Sequence, residues 1–276
     1  MTGQRVVLVT GAGSGIGAAV AGRAAAEGWR VAVCGRRAAA LAAVSSRTGA
    51  LPVVTDLRDA DAIEALVASV LDAYGRLDCV VANAGVMTQG SILSTTPADW
   101  ELTLSTNLTS VYLLSRAALP ALLESRGSVV AVGSIAALRA PSGAAAYAVS
   151  KAGLVMLVQT IARDFGHAGV RANVVCPGWV RTEMADGEMA EFGEPLGLDR
   201  EQAYEEVTRL VPQQRPAEPD EVAAAVTWLA GSDASYVNGA CLVVDGGTVL
   251  VDPGTVPLDF SVRHRTGTAS ATYAER

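Results

Sequence analysis

Val6-Val7-Leu8-Val9-Thr10-Gly11-Ala12-Gly13-Ser14-Gly15-Ile16-Gly17 decides the fold of this chain. A run of β-branched and apolar residues leads into a glycine-rich turn, and an alanine-rich helical stretch follows. That order of strand, turn and helix is the context in which a glycine turn binds a dinucleotide. The glycines permit a tight turn and let a pyrophosphate approach backbone N–H groups at the positive end of the helix. The spacing Gly11-x3-Gly15-x-Gly17 departs from the Gly-x-Gly-x-x-Gly of other dinucleotide folds, and Ile16 takes a helix-packing position. A glycine turn can also be an ordinary loop, but the strand before it and the helix after it argue for the dinucleotide.

Outward from this stretch, β-rich runs alternate with alanine-rich helical segments, the pattern of a parallel sheet with helices on both faces. The runs 5–10, 30–34, 51–54, 79–83, 128–133, 170–176 and 241–244 read as strands. Helices are predicted at 15–27, 38–47, 59–74, 98–123, 147–166 and 219–230. Two open on Thr96-Pro97-Ala98-Asp99 and Glu218-Pro219-Asp220-Glu221, with proline near the first helical position. No linker or repeat interrupts the series, so residues 1–247 read as one domain and 248–276 as a C-terminal extension. Residues 177–217, rich in Pro, Gly, Met and acidic groups, read as a flap over the ligand crevice.

Composition excludes several classes. The chain has 276 residues, half of them hydrophobic and only 18% charged, which is globular and not disordered. A net charge of −7 lacks the basic field that general nucleic-acid binding needs. No signal region precedes Val6, and no run approaches the ~20 apolar residues of a membrane span. Cys34, Cys79, Cys176 and Cys241 are far apart in sequence and read as buried free thiols, with no metal site. The expectation is a soluble, cytoplasmic protein.

Chemistry is carried by Tyr147-Ala148-Val149-Ser150-Lys151, which places a phenol and an ammonium four residues apart on one helix face. A fixed cation near a phenol favours the phenolate, and lowering its pKa by about three units takes roughly 4 kcal/mol. Ser134 lies upstream in Val132-Gly133-Ser134, where a hydroxyl at a strand end can hydrogen-bond a substrate oxygen. With the glycine turn, these residues resemble the short-chain dehydrogenase/reductase family, and the match runs from residue 5 to 247. The resemblance implies a single-domain, Rossmann-type, doubly wound α/β fold.

It further implies that Tyr147 is the acid/base, that Lys151 tunes it and holds the nicotinamide ribose, and that Ser134 orients the carbonyl oxygen. Asn107 matches the family's fourth member, a mid-helix asparagine binding a water that links Lys151 to solvent. Gly11, Gly13, Ser14, Gly15, Ile16 and Gly17 would hold the pyrophosphate. Asp56, followed by Leu57, resembles the aspartate that accepts from the adenine amino group, although it reads equally as a helix N-cap or an exposed turn. Asn83, Ala84 and Gly85 resemble the turn beside the ribose. Pro177, Gly178, Val180 and Thr182 resemble the segment holding the nicotinamide carboxamide. Asp245-Gly246-Gly247 matches a pattern after the last strand.

The second strand ends Gly35-Arg36-Arg37. An acid at Gly35 would mark NAD dependence; glycine leaves room for a 2′-phosphate, and Arg36 and Arg37 suit bidentate contact with it. Ser14, at a position often basic in NADP-dependent relatives, weighs against this. NADP(H) is favoured over NAD(H). The expected reaction interconverts a carbonyl and a secondary alcohol on a small, neutral, hydrophobic molecule, with Met87, Leu138, Ala140, Trp179 and Met184 near the pocket. Between residues 183 and 211 nine acids face two bases, which should repel anionic thioesters. The alternatives are a 3-oxoacyl-(acyl-carrier-protein) reductase-like enzyme and a non-catalytic dinucleotide-binding regulator. Apolar positions on several faces of the 98–123 helix (Leu104, Leu108, Val111, Leu114, Leu119, Leu122) point to a homo-oligomer, most simply a tetramer.

Overall fold

In a computed structural model, residues 4–256 are described; the part of the expected extension at 257–276 lies outside them. Among the described residues seven strands form a parallel sheet. They are β1 (Val6–Thr10), β2 (Arg30–Gly35), β3 (Leu51–Val54), β4 (Cys79–Ala82), β5 (Ser128–Val132), β6 (Arg171–Pro177) and β7 (Cys241–Val244), in the order β3-β2-β1-β4-β5-β6-β7. All five residues of β1, β4's four and β5's five are buried, as expected of strands covered on both faces. Alternate residues face opposite helix layers. Leu8, Val80, Ala131 and Val174 pack with Leu66, Leu114 and Val158, from α3 (Ala60–Tyr74), α5 (Ser110–Ser125) and α6 (Ala145–Phe165). On the other face α1 (Gly15–Ala26) packs against α2 (Ala38–Thr48) and α9 (Pro219–Ala230).

The strand order reverses between β1 and β4, and sheets of this kind take their ligands beyond the carboxyl ends of the strands at such a reversal. The glycine turn leaves β1 there, and Asn83-Ala84-Gly85 leaves β4 beside it.

By packing, the chain to Pro177 together with Pro219–Val243 forms one compact unit; Gly178–Glu218 and the residues from Val244 onward form a second. The predicted flap lies in the second unit and holds two helices, α7 (Glu183–Gly193) and α8 (Arg200–Thr208), that were not expected. Both start on side-chain caps. Thr182 Oγ1 accepts from Ala185 N–H, and Asp199 forms a capping box with Gln202. This unit has its own small core of Ala185, Met189, Ala203 and Tyr204, with Trp179 packed against it.

Two further expectations change. The single helix at 98–123 is two, α4 (Pro97–Leu104) and α5, joined by a π-helical turn at Ser105–Thr109. The segment Ala145–Ala168 is long and apolar enough to cross a membrane by length and composition, contrary to the sequence reading. Its inner residues Leu154, Val158 and Ile161 are buried in the core, so here it serves as the central packing helix.

The glycine turn generates a prediction of opposite signs. A Cβ at Gly17 would lie 2.5 Å from Asn83 Nδ2 and 2.6 Å from the Gly11 carbonyl oxygen, whereas one at Gly22, in the same helix, would meet nothing within 4 Å. Gly17→Ala should cost about 1–3 kcal/mol in chemical denaturation, and Gly22→Ala should gain up to about 1 kcal/mol. Equal effects would contradict the close packing at Gly17.

Candidate active site

The ends of β1 and β4 are joined through one hydroxyl. Thr10 Oγ1 accepts the backbone N–H groups of Asn83 at 2.9 Å and Ala84 at 3.1 Å, and donates to the Val81 carbonyl. Asn83 Nδ2 donates in turn to the carbonyls of Thr10 and Gly11. Gly11 has a left-handed φ of +63°, and a Cβ there would lie 2.7 Å from Ala84 Cα. Asn83 thus braces the glycine turn. Thr10 was not singled out from sequence, although its place directly before the first glycine was the available signal.

The start of α1 fits a bound phosphate. Its N-cap, Ser14, makes no side-chain cap bond, and the first turn carries no acid. By contrast α3, α4, α7 and α8 open on Asp59, Thr96, Thr182 and Asp199, each accepting from the first turn. An N-terminus without a cap, next to glycines, presents donors and the positive dipole end to an anion. Ser14 Oγ instead accepts from Arg37 Nη2 at 2.9 Å, which brings a guanidinium from the start of α2 onto the glycine turn. Arg36 is exposed next to it. Asp56 is not the cap of α3, since Asp59 is. Its carboxylate is forked by Arg58 at 3.0 and 2.6 Å and held down to about 2 by that bonding, with Leu57 buried behind it.

Tyr147 and Lys151 stand in the first two turns of α6, which begins two residues earlier than the sequence suggested. Lys151 is buried, its Nζ lies 5.6 Å from the centroid of the Tyr147 ring, and it donates to the Val132 carbonyl at 2.9 Å. Burial pulls this ammonium down from 10.5 to about 8, with Cys176 acting in the other direction. A Cβ at Gly85 would sit 3.6 Å from Lys151 Nζ and 3.3 Å from Asn107 Oδ1, so the β4 turn passes directly over both.

Asn107 is buried in the π-helical turn, and both ends of its amide are engaged. Oδ1 accepts from Val86 N–H at 2.8 Å; Nδ2 donates to the Val86 carbonyl and to Ser150 Oγ. The amide thereby clamps the loop after β4. Ser150, which sequence reasoning passed over, donates onward to the Tyr147 carbonyl at 2.7 Å. Its place directly before Lys151 in Tyr-Ala-Val-Ser-Lys was the available signal. The same loop bonds to the start of α6 through Gly90 N–H to Gly143 O and Ala145 N–H to Gly90 O.

Ser134 caps the short turn Ile135–Ala137, accepting from Ala136 N–H at 3.1 Å, and that turn packs against α6. A hydroxyl that accepts there retains its own proton to donate.

In the second unit, Gly178 N–H bonds to the Val244 carbonyl, Val180 is buried, and Thr182 is the cap of α7. Pro177 ends β6 in the first unit. Asp245 holds the turn after β7, its carboxylate accepting from Gly247 and Val249 N–H. Both bases of the acidic stretch are paired, and Arg181, just before it, adds a third. Arg181 forks Glu201 at 2.9 and 2.7 Å, Arg200 meets Asp186, and Arg209 meets Glu206. Trp179 belongs to that unit's core, and Leu138 and Met184 are exposed. A cavity of about 580 Å³ lies at the opposite, amino-terminal edge of the sheet, lined by Arg5, Trp29, Asp78, Arg126 and Arg171 among others, and holds none of these residues.

Residues 11–249 match the family model described as enoyl-(acyl carrier protein) reductase. The chain is 42% identical over 243 residues to "Protein MoaE" of Klebsiella aerogenes, covering 87% of this chain and 94% of that one. It is 38% identical over 249 residues to a meso-2,3-butanediol dehydrogenase of Serratia marcescens, covering 88% and 93%. Among solved structures, the actinorhodin polyketide ketoreductase with NADPH superposes with a TM-score of 0.85 at 35% identity, covering 88% of this chain and 97% of the other.

The buried ammonium generates a pH prediction. Lys151 titrates near 10.5 when unfolded and near 8 when folded, so between these values the unfolded state binds more protons. Its contribution to stability therefore rises with pH through that window, by up to roughly 3 kcal/mol. In Lys151→Met the rise should vanish, and the stability difference between variant and parent should shift by that amount between pH 8 and 10.5 in chemical denaturation. A constant difference would contradict the burial of the charge.

Proposed function

The chain belongs to the short-chain dehydrogenase/reductase family, and from that premise we propose that it interconverts a carbonyl and a secondary alcohol on a small neutral molecule, with Tyr147 moving the proton. The observation that carries this reading is the buried Lys151 ammonium beside the Tyr147 ring on one face of α6. A cation within a few ångströms favours the phenolate, which lets a phenol exchange protons near neutral pH. At about 8 the Lys151 ammonium still carries its charge at pH 7. Ser134, with a proton left to donate, would hold the substrate oxygen and stabilise charge developing on it. Asn107 and Ser150 would position the Tyr147 turn against the loop after β4. A nicotinamide dinucleotide, when bound, supplies or accepts the hydride. Gly11–Gly17 and the uncapped start of α1 would hold its pyrophosphate, and Lys151 its ribose.

We favour NADP(H) over NAD(H). Gly35 leaves space where an acid would repel a 2′-phosphate, and Arg37 lies on Ser14, so the basic group missing at that position arrives from the start of α2. The polyketide ketoreductase likeness favours a second reading, a reductase of carrier-bound 3-oxoacyl groups. The butanediol dehydrogenase likeness favours the small neutral substrate. The four free thiols suit a reducing, cytoplasmic location, which cell fractionation would check.

For self-association, the sequence pointed to the leucines of the first long helix, but Val111, Leu114 and Leu122 are spent in the core. Tyr112 and Leu123 on α5 and Val149 and Met156 on α6 are large apolar side chains left exposed. We assign these helices to a subunit interface of a homotetramer. Light scattering at micromolar concentration should give a multiple of the chain mass; a monomer mass would refute it.

The test of function is cofactor absorbance with a panel of ketones and alcohols, run with both dinucleotides. Tyr147→Phe should lower kcat by several orders of magnitude with cofactor binding retained, and Lys151→Ala should damage both. Near-normal turnover of Tyr147→Phe at saturating substrate would end the mechanism. Gly35→Asp should move preference toward NAD(H), and a parent enzyme with higher kcat/KM for NAD(H) would overturn the cofactor assignment. Acetoacetyl-coenzyme A reduced better than any neutral ketone at low salt would favour the second reading.

A further inference from the structure

Cys176 near the end of β6 and Cys241 at the start of β7 project into the same core face of adjacent strands, and their Sγ atoms lie 3.2 Å apart. Both are free thiols. Val174 N–H bonds to the Ala240 carbonyl and Gly178 N–H to the Val244 carbonyl, a register that sets Cys241 opposite Val174 and Cys176 one pair further on, so the thiols meet on the diagonal and closing the bond shifts the strand backbones. The two are not equally accessible. Cys176 is buried, whereas Cys241 is only partly so, on the strand that ends the sheet.

Cys176 is also wired to the candidate active site. Its sulfur lies close to the backbone N–H of Ser134 and to the charge of Lys151, both of which favour its thiolate. A Cβ on Gly133 would come within 2.9 Å of that sulfur, so the atom fills the space directly beneath the Gly133-Ser134 turn. Nothing in the proposed chemistry uses either thiol.

We propose that Cys176 and Cys241 are a redox modification site, oxidised by a peroxide to a cross-strand disulfide that displaces Ser134 and turns the enzyme down. The Cys241 thiolate attacks one oxygen of hydrogen peroxide. The O–O bond breaks, hydroxide leaves and takes up the proton that Cys241 released, and Cys241 becomes a sulfenic acid. The Cys176 sulfur attacks that sulfur, the S–S bond forms, the S–O bond breaks, and a second water departs with the Cys176 proton. Two thiols lose two electrons and two protons; one peroxide becomes two waters.

The hydrogen bond between the thiols favours loss of one proton and opposes loss of the second. It pulls Cys241 down to about 7 and drives Cys176 up. Burial pushes Cys34 and Cys79 up to about 12, which leaves them unreactive beside this pair. A disulfide of about 2.05 Å draws the sulfurs together by more than ~1 Å. That movement takes the Cys176 sulfur away from the Ser134 N–H and from beneath Gly133. The loss of activity rests on the oxidoreductase reading given above; formation of the bond does not.

The test titrates the reduced, full-length protein with hydrogen peroxide, blocks remaining thiols by alkylation, and maps peptides while assaying activity on the same aliquots. A Cys176–Cys241 peptide is expected, with activity falling at least tenfold in proportion to it and returning with dithiothreitol. Cys241→Ser, or Cys241→Ala should serine fold poorly, is expected to start near parental activity and to resist the same dose. Absence of the linked peptide overturns the site. A linked peptide with unchanged activity, or equal inactivation of the Cys241 variants, overturns the switch. Should no carbonyl be turned over by the reduced protein, the oxidoreductase reading falls by itself. Mapping then still decides the bond, and faster hydrogen exchange at the Ser134 amide on oxidation decides the coupling.

Discussion

The rest of the structure depends on how closely the backbone beyond β1 approaches the backbone beyond β4. One threonine hydroxyl receives two amide protons from the β4 turn, and an asparagine amide returns two bonds to the β1 turn. That contact leaves no room for side chains at Gly11 or Gly17. The glycines are therefore fixed first by the protein's own packing, and the ligand cradle is a consequence. Because the same approach joins the strands on either side of the topological switch, it also lies where sheets of this kind take their ligands.

From that crossing, polar groups run inward as a connected chain. The loop after β4 is held by Asn107, which bonds Ser150, which bonds the Tyr147 carbonyl. Lys151 is tied to β5 through Val132. Asn107, Ser150 and Lys151 each have a partner along this run, as polar groups placed in a low-dielectric interior require. The π-helical turn is what presents the Asn107 side chain to Val86. A regular helix through 98–123 would rotate that amide away from the loop it clamps.

Sequence made the strand–helix alternation legible because fully buried valine runs and alanine-rich helices differ in period and composition. It also made Tyr147, Lys151, Ser134 and the glycine turn legible, since each has a short, fixed spacing. What was hidden has physical reasons. Thr10 acts through bonds to backbone atoms more than seventy residues away, and Ser150 receives the Asn107 amide from another helix; such bonds leave no periodic trace. Cys176 and Cys241 are 65 residues apart in the chain and become neighbours only through strand order. The helices α7 and α8 were missed because a high proportion of Glu, Gly and Pro reads as loop, although Thr182 and Asp199 carried ordinary capping signals. The exposed apolar side chains of α5 were misassigned because periodicity marks an apolar stripe without saying which part of it the core consumes.

Capping gives a further way to separate support from function. Four helices here start on a side chain that accepts from their own first turn, a local arrangement worth about 1 kcal/mol each. The first helix forgoes it, even though Ser14, a residue well suited to capping, stands at the right position. Its hydroxyl is turned outward to Arg37 instead. Local stability would favour the inward rotamer, so the observed one is held by something else, the guanidinium brought from the start of α2. The result is a helix end with its positive dipole unopposed and an arginine alongside. An anion completes that end more fully than the serine could, because it can accept from several amides and the guanidinium together.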